Sequence, residues 1–284
     1  MRTLTSALIS SFETHLLNEE KAIATVRKYV RDVRAFASWL SSDQFDKTTV
    51  LAYKAYLMEK YAPASVNAGI SSLNSFFSFC EWYELRVKSL KIQRRMFSET
   101  ERELSVNEYE RLLHAASVRK DLRLWLIMQA ICSTGIRVSE LRYITVESTR
   151  SGRAEIRCKG KHRVVFLPTE LCGLLRRYVK AQSVKKGPVF VTRNGKPLDR
   201  SNIWADRKKL CRVAGVAEGK VFPHNLRHLF ARTYYSRQKD VVRLADILGH
   251  ASVNTTRIYT MESGEEHRRQ IEGLGLVRIR GFTT

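Results

Sequence analysis

Hydrophobic residues over roughly the first ninety positions recur every three or four residues, the spacing of one α-helical face. The pattern is clearest over residues 25–40, where it predicts an amphipathic helix. The apolar residues of this face are Val26, Tyr29, Val30, Val33, Phe36, Ala37 and Leu40. A second helix is predicted over residues 63–83, with proline in its first turn. Together with helices near 4–18 and 47–60, the pattern predicts a unit of four helices.

The second half of the 63–83 helix carries five aromatic residues, which either stack on nucleic-acid bases or pack inside the unit. They are Phe76, Phe77, Phe79, Trp82 and Tyr83. Because aromatic residues on an amphipathic helix supply large buried areas, the core is the favoured prediction.

The helical pattern breaks over residues 93–103, Q-R-R-M-F-S-E-T-E-R-E, a polar stretch typical of a linker. This linker separates a predicted helical domain, 1–92, from a second domain, 104–284. The second domain opens with Ser105 and Glu108, whose spacing is that of a capping box at a helix N-terminus.

The second domain is predicted to be helical except for short β-prone runs. Residues 153–158 and 163–167 flank K-G-K-H, which predicts an antiparallel hairpin that turns at this tetrapeptide. A further strand is predicted at 188–191, before the turn N-G-K-P. The predicted fold class is therefore mainly α with a small antiparallel β-sheet.

Charge narrows the class of partner. Fifty Lys and Arg residues against 28 Asp and Glu give a formal net charge of +22. Residues 1–100 contribute +4 (14 against 10), and residues 101–284 contribute +18 (36 against 18). A polyanionic partner, nucleic acid, is the favoured prediction. A solvated basic surface, a ribosome-bound protein and a membrane-surface protein are the alternatives.

Composition argues against several other classes. The chain has no apolar run of membrane-spanning length and no secretion signal in residues 1–11, so we expect a cytoplasmic protein. Its five cysteines are widely spaced and form no C-x-x-C pair, which argues against a disulfide framework and a zinc ribbon. We expect reduced thiols, no metal and no other cofactor.

Four segments of the second domain concentrate residues that can do chemistry. They are T-G-I-R-V-S-E-L (134–141), K-G-K-H-R (159–163), H-N-L-R-H (224–228) and L-G-H-A-S-V-N-T-T-R-I-Y-T (248–260). Taken singly, none is specific, because arginines are commonly surface residues and histidines often cap helices or pack in cores. A zinc site of His224, His228 and His250 is an alternative, although no thiol or carboxylate follows in a recognised spacing.

In this order and spacing, the segments resemble the tyrosine recombinase (phage integrase) family, and in particular its compact two-domain Xer-like and mobile-element members. The family signatures A-T-G-x-R-x-S-E-L, H-x-L-R-H and L-G-H-x-x-x-x-T-T-x-x-Y are each matched closely. Thr25, Tyr29, Phe36 and Trp39 fit the family's helical core-binding (SAM-like) domain, so the resemblance covers nearly the whole chain. On this resemblance we expect no additional arm-binding domain.

The resemblance implies six catalytic residues that need neither metal nor ATP. They are Arg137, Lys159, His224, Arg227, His250 and Tyr259. Two guanidiniums suit the two non-bridging oxygens on which negative charge grows when a phosphodiester is attacked. By resemblance, Arg137 and Arg227 hold these oxygens. Tyr259 is the implied nucleophile, which leaves a 3′-phosphotyrosyl link that conserves the energy of the broken bond.

The remaining roles also follow from the resemblance. His224 is the implied acid–base partner of the tyrosine, and His250 is implied to bond the scissile phosphate. A hairpin lysine protonates the leaving 5′-oxygen. Lys159 is the first choice and Lys161 the alternative, because this turn is one residue shorter than the family's usual K-G-x-K form. Glu140 either supports the site or is a structural helix residue.

The resemblance further implies a C-shaped clamp on double-stranded DNA. A homodimer would bind an inverted-repeat core site, and a homotetramer would form in synapsis and exchange strands through a Holliday junction. Residues 261–273 are predicted to be a polar helix, followed by a more apolar segment at 274–279. In relatives, the corresponding tail docks onto a neighbouring protomer.

Three rival functions stay open at this point. A type IB topoisomerase uses similar residues without a paired site, a regulator would bind DNA without cutting it, and a nuclease or transposase would need Mg²⁺. Within the recombinases, the favoured role is integration, excision or cointegrate resolution of a mobile element. The alternative is Xer-type resolution of chromosome or plasmid dimers.

Overall fold

The computed structural model divides the chain into two compact units, residues 1–94 and 95–284. The residues that the structure describes are 1–42, 44–92, 102–158, 161–192, 194–198, 203, 207–259 and 264–276. Most of the predicted linker, 93–103, therefore lies outside the described residues. None of the described helices is both long and apolar enough to cross a membrane.

Within its described residues, the first unit contains four α-helices, a 3₁₀ turn at Tyr83–Leu85 and one very short strand pair. The helices are α1 (Ser6–Asn18), α2 (Ile23–Trp39), α3 (Lys47–Lys60) and α4 (Pro63–Phe79). The strands β1 (Arg2–Thr3) and β2 (Gln44–Phe45) pair antiparallel. The sequence pattern predicts all four helices, but not this strand pair, because two residues are too few to show an alternating pattern.

Aromatic rings fill the core of the first unit. Phe12 meets Phe76 edge-on at a centroid distance of 5.3 Å, and Phe36 meets Phe45 edge-on at 5.2 Å. Phe76 and Phe77 are fully buried, which confirms the core prediction for these two rings. Tyr83 is 60% exposed and does not belong to the core.

The fourth helix ends earlier than the sequence predicts, at Phe79 instead of near Tyr83. The chain leaves the helix because Glu81 adopts a left-handed conformation (φ 58°). The Trp82 amide then donates back to the Phe77 carbonyl at 2.8 Å, which satisfies a carbonyl of the last turn.

Within its described residues, the second unit contains helices and one antiparallel hairpin. The helices are α5 (Val106–Val118), α6 (Leu122–Thr134), α7 (Val146–Ser151), α8 (Thr169–Ala181), α9 (Arg207–Ala214), α10 (Pro223–Gln238), α11 (Val241–Leu248), α12 (Val253–Thr256) and α13 (Gly264–Gly273). The predicted capping box before α5 is present, because Ser105 Oγ accepts from Glu108 N at 3.2 Å and Glu108 Oε2 accepts from Ser105 N at 2.8 Å. The predicted fold class, mainly α with a small antiparallel β-sheet, is confirmed, and the described residues form two such two-stranded sheets.

Two β predictions need correction. Strands β3 (Arg153–Cys158) and β4 (Lys161–Phe166) pair up to Cys158 and Lys161, so the turn is shorter than the predicted tetrapeptide. The strand predicted at 188–191 is replaced by two isolated bridges, Thr145 to Pro188 and Val191 to Pro197. Each bridge involves a proline, which has no N–H to extend a ladder.

Two glycines end the helices that lead into the T-G-I-R-V-S-E-L and L-G-H motifs. Gly135 (φ +64°) follows α6, and Gly249 (φ +64°) follows α11. A Cβ on Gly135 would lie 2.5 Å from Phe230 Cδ1 and 2.9 Å from Leu248 Cδ2. Both the backbone conformation and the close packing therefore require glycine at this position.

Gly135→Ala should lower the free energy of unfolding by about 3 kcal/mol, because it combines left-handed strain with overpacking. Gly152→Ala is the matched control: Gly152 has φ +70°, but its added Cβ would meet only the Leu167 carbonyl, at 3.9 Å. We expect about 1 kcal/mol for this control, from strain alone. Urea unfolding measures both losses, and equal losses would contradict the packing argument.

Candidate active site

A buried carboxylate holds Arg137 at the start of a 3₁₀ segment, Val138–Tyr143. Glu140 Oε1 accepts from Arg137 Nη1 at 2.8 Å, and Glu140 Oε2 accepts from the Arg137 amide at 2.9 Å. Arg163 of β4 donates to the same Oε2 at 2.6 Å. The Glu140 side chain is only 6% exposed, whereas that of Arg137 is 36% exposed. The carboxylate therefore anchors an arginine whose side chain still reaches solvent.

Arg227, on α10, is the most deeply buried charge of the site, at 3% exposure. Its guanidinium donates to the carbonyl of Gly135, to the carbonyl of Leu248 at 2.7 Å and to His250 Nε2 at 3.1 Å. These acceptors lie at the ends of two other helices, so the arginine ties three elements together. Burial and the charge of Arg137 lower the pKa of Arg227 to about 10, which leaves it charged at neutral pH.

His250 lies one residue beyond Gly249, and its ring is held from both sides. Nε2 faces Arg227 Nη2, and Nδ1 lies 2.8 Å from the hydroxyl of the fully buried Thr256. Because a guanidinium can only donate, Nε2 is the acceptor and the neutral ring carries its proton on Nδ1. Burial and the charges of Arg227, Arg137 and Arg163 lower the pKa of His250 to about 4.

Tyr259 lies between two histidine rings, in a 3₁₀ turn after α12. The His228 ring meets it edge-on at 4.8 Å, and the His250 ring lies nearly parallel to it at 6.0 Å. The tyrosine is 7% exposed and packs with Ala231, Leu244 and Leu248. Its ring position is thus fixed by packing within the same cluster that presents Arg227 and His250.

The structure brings four of the six predicted catalytic residues, Arg137, Arg227, His250 and Tyr259, into one site. His224 is exposed in the first turn of α10, one helical turn before Arg227. Lys159 lies outside the described residues, and so does the side chain of Lys161. The choice between these two lysines therefore stays a prediction.

Sequence reasoning missed three residues that contact the site. Arg163 stands in the K-G-K-H-R segment without a role assigned to it, His228 contacts the tyrosine ring, and Thr256 orients His250. His228 and Thr256 are fixed letters of the signatures H-x-L-R-H and L-G-H-x-x-x-x-T-T-x-x-Y, which was the available signal. Nothing in the local pattern distinguishes Arg163.

Opposite charges and burial set the protonation states of the site. Burial alone would raise the pKa of Glu140, but hydrogen bonds and charge from Arg137 and Arg163 bring it below its usual value. Burial, His224 and Arg227 lower the pKa of His228 to about 4. Across the part of the chain that the structure describes, no three His, Cys, Asp or Glu side chains group as metal ligands.

The two lowered histidine pKa values predict that folding stability falls in mild acid. The unfolded chain binds protons at His228 and His250 near pH 6.5, whereas the folded chain binds them near pH 4. Stability is therefore full above about pH 6.5 and is lost as the pH falls toward 4, by at most about 1.4 kcal/mol per pH unit for each histidine.

Urea unfolding at pH 7, 6, 5 and 4 tests this dependence. His250→Asn and His228→Asn should each flatten the loss of stability between pH 6.5 and 4. The control is His162→Asn, on β4, whose side chain is 54% exposed. A slope that neither site variant changes would contradict the assignment of both histidines as partly buried and neutral.

Comparisons with known proteins agree along most of the chain. Residues 102–266 match the family model for the phage integrase family, and residues 9–84 match that for its N-terminal SAM-like domain. The tyrosine recombinase XerA of Thermococcus kodakarensis is 30% identical over 281 residues, covering 95% of this chain and 96% of that protein. The tyrosine recombinase XerD of Halalkalibacterium halodurans is 26% identical and covers 87% and 90%.

Solved structures show the same fold. A crystal structure of XerA recombinase is similar with a TM-score of 0.53 at 27% identity, covering 97% of this chain and all of that one. A lambda integrase dimer bound to a core site aligns with a TM-score of 0.75 at 18% identity, covering 93% and 97%. The chain therefore belongs to the phage integrase family of tyrosine recombinases, enzymes that cleave and rejoin DNA.

Proposed function

We propose that this chain is a site-specific recombinase that cuts duplex DNA with Tyr259 and holds the cut strand as a 3′-phosphotyrosine. The observation that carries the proposal is the tyrosine packed between His250 and His228, with Arg227 bonded to the His250 ring. Membership of the phage integrase family supports the same chemistry.

Arg137 and Arg227 bind the two non-bridging oxygens of the scissile phosphate. Their guanidiniums are charged donors fixed in advance by Glu140 and by the helix-end carbonyls. Such preorganised donors stabilise the charge that develops as the phosphodiester is attacked. His250 adds a further hydrogen bond when its ring takes the other tautomer: Nδ1 then accepts from the Thr256 hydroxyl, and the protonated Nε2 donates to the phosphate instead of accepting from Arg227.

Two proton transfers accompany the cleavage. The Tyr259 oxygen bonds to phosphorus as its proton passes to His224, and the bond from phosphorus to the 5′-oxygen breaks. Lys159 protonates that oxygen, with Lys161 as the alternative. Rejoining reverses these steps, so the bond energy is kept in the phosphotyrosine and no ATP is consumed.

The duplex is bound as an inverted repeat by a homodimer, and two such sites pair as a tetramer. The net charge of +22 suits a partner that carries one phosphate charge per ~1.7 Å of duplex. Among proteins of the same fold, a lambda integrase dimer is bound to a core site and a lambda integrase tetramer to a Holliday junction. A protein that acts on such DNA sites would work in the cytoplasm.

The favoured biological role is integration, excision or cointegrate resolution of a mobile element. Resolution of chromosome or plasmid dimers is the second candidate, supported by the XerA and XerD relatives that match over most of the chain. Target sites at both ends of an inserted segment favour the first role. A single site in each replicon favours the second.

Trapping covalent protein–DNA adducts tests the proposed function. The purified chain is mixed with fragmented DNA of its source genome in EDTA, and the DNA ends held by the protein are sequenced. We expect 3′-linked adducts at one inverted-repeat site. Scattered adducts would instead indicate a topoisomerase. Tight binding without adducts would indicate a non-catalytic protein. Cutting that occurs with Mg²⁺ but is abolished by EDTA would indicate a metal-dependent nuclease.

Deleting residues 265–284 should impair recombination while leaving DNA binding nearly unchanged. This tail includes most of α13, and its Ile271, Leu274 and Leu276 are 56%, 64% and 75% exposed, as expected of a segment that packs on another protomer. We expect synapsis and recombination to fall tenfold or more and DNA affinity to change less than about twofold, a difference of under ~0.5 kcal/mol. Native gel shifts and a two-site recombination assay measure these effects; unimpaired recombination would contradict the docking role.

A further inference from the structure

Arg163 connects two parts of the site that are distant in sequence. From β4 its Nη2 donates to Glu140 Oε2 at 2.6 Å, while its Nη1 donates to the carbonyl of Ile247 near the end of α11. The side chain is only 14% exposed. This largely buried guanidinium therefore bonds to Glu140, in the 3₁₀ segment that follows Arg137, and to Ile247, three residues before His250.

The same side chain passes directly over Gly249. A Cβ on this glycine would lie 2.5 Å from Arg163 Cδ and 2.9 Å from its Nε, closer than any side chain tolerates. The carbonyl of Gly249 accepts from Arg137 Nη2 at 3.4 Å. The glycine is therefore contacted by both arginines, and its lack of a side chain is what admits Arg163.

The Glu140 carboxylate is held by two arginines, Arg137 and Arg163. Its Oε1 is held by the Arg137 side chain, and its Oε2 is held by the Arg137 amide and Arg163. Without Arg163, a buried carboxylate keeps one cation instead of two, which weakens its preference for the charged form. A protonated or rotated Glu140 no longer fixes the guanidinium of Arg137.

We propose that Arg163 is a positioning residue for DNA cleavage. It holds Arg137, through Glu140, and the Gly249–His250 turn in the one arrangement that receives the scissile phosphate. Because Arg163 lies on β4, its two bonds also tie the position of this strand to the phosphate site. This inference rests on the proposed function for its catalytic consequence, but the coupling itself is a property of the DNA-free protein.

The DNA-free coupling is tested by nuclear magnetic resonance of the full chain labelled with ¹⁵N-histidine, with His250 assigned from His250→Asn. Burial, followed by the charges of Arg227, Arg137 and Arg163, lowers the pKa of His250. Arg163→Met should therefore move the His250 titration to higher pH, and Arg163→Lys should move it less. Arg153→Met, at the opposite end of the hairpin, is the matched control. An unchanged His250 titration in folded Arg163→Met would overturn the proposal.

The catalytic consequence is tested by single-turnover cleavage of the site that adduct trapping identifies. We expect Arg163→Met to slow cleavage about 10–100-fold with less than about threefold change in DNA affinity, and Arg163→Lys to restore part of the rate. The acid limb of the pH–rate profile should move to higher pH, because Glu140 protonates more readily. Arg153→Met should keep the wild-type profile.

A double-mutant cycle separates positioning from general destabilisation. Because Arg163 acts on Arg137 through Glu140, the rate losses of Arg163→Met and Glu140→Gln should combine to clearly less than their product. Fully multiplicative losses would overturn the proposal, and Arg163→Lys serves for the cycle if Arg163→Met does not fold. Absence of adducts in the wild type would refute the proposed function, whereas the histidine titration would still test the coupling.

Discussion

Tyr259→Phe is expected to abolish covalent attachment to DNA while changing DNA affinity by less than about twofold. The substitution removes only the hydroxyl, so the ring keeps its place between His228 and His250. Because no other group attacks the phosphate in place of the tyrosine hydroxyl, single-turnover cleavage should fall by about 10⁴-fold or more. Denaturing gels of end-labelled duplexes measure the adduct.

Tyr234→Phe is the matched control, because Tyr234 packs against the same cluster as Tyr259. It should form adducts at the wild-type rate. Residual adduct in Tyr259→Phe, or loss of adduct in Tyr234→Phe, would mean that the attacking residue has been assigned wrongly.

Arg227→Lys is expected to slow cleavage by about 10²–10³-fold, although the charge is retained. A lysine cannot reach the Gly135 and Leu248 carbonyls and a phosphate oxygen together, since its ammonium is a single point donor. Two buried carbonyls lose a charged donor, so the free energy of unfolding should also fall by about 2–4 kcal/mol. DNA affinity should change little, because one phosphate contact among many is altered.

Arg232→Lys separates the two effects of the Arg227 substitution. Arg232 lies on the same helix and also donates to a backbone carbonyl, that of Leu104 at 2.8 Å, and it pairs with Glu103 instead of with a residue of the candidate site. It should lower stability without changing the single-turnover rate of the folded enzyme. Urea unfolding and cleavage assays at a temperature where both variants are folded make the comparison. Equal rate losses for the two variants would contradict a direct role for Arg227.

The helices of the first unit could be predicted from the sequence because each buries one face against a single core. Val26, Val30, Val33 and Phe36 are all buried, as the spacing of apolar residues requires. The end of α4 could not be predicted in the same way, since Trp82 and Tyr83 continue the apolar pattern. That end depends on the left-handed conformation of Glu81, which hydrophobic spacing does not encode.

Some residues of the candidate site could be predicted from the sequence and others could not. Arg137, Arg227, His250 and Tyr259 belong to motifs whose order and spacing resemble those of a family, and the structure brings them together. Arg163 depends instead on contacts 23 and 84 residues away in sequence, with Glu140 and Ile247. Such a contact exists only after β4, the 3₁₀ segment and α11 have packed, so no local pattern predicts it.

The most direct test of the account is to map the amino acid that carries the DNA. A trapped adduct is digested with nuclease and trypsin and analysed by mass spectrometry. Cleavage after Arg257 and Arg268 releases the peptide I-Y-T-M-E-S-G-E-E-H-R, in which Tyr259 is the only tyrosine. The account predicts a 3′-phosphonucleotide on this tyrosine. A nucleotide on another peptide, such as T-Y-Y-S-R at 233–237, would contradict it. A nucleotide joined to Tyr259 through its 5′-phosphate would also contradict it.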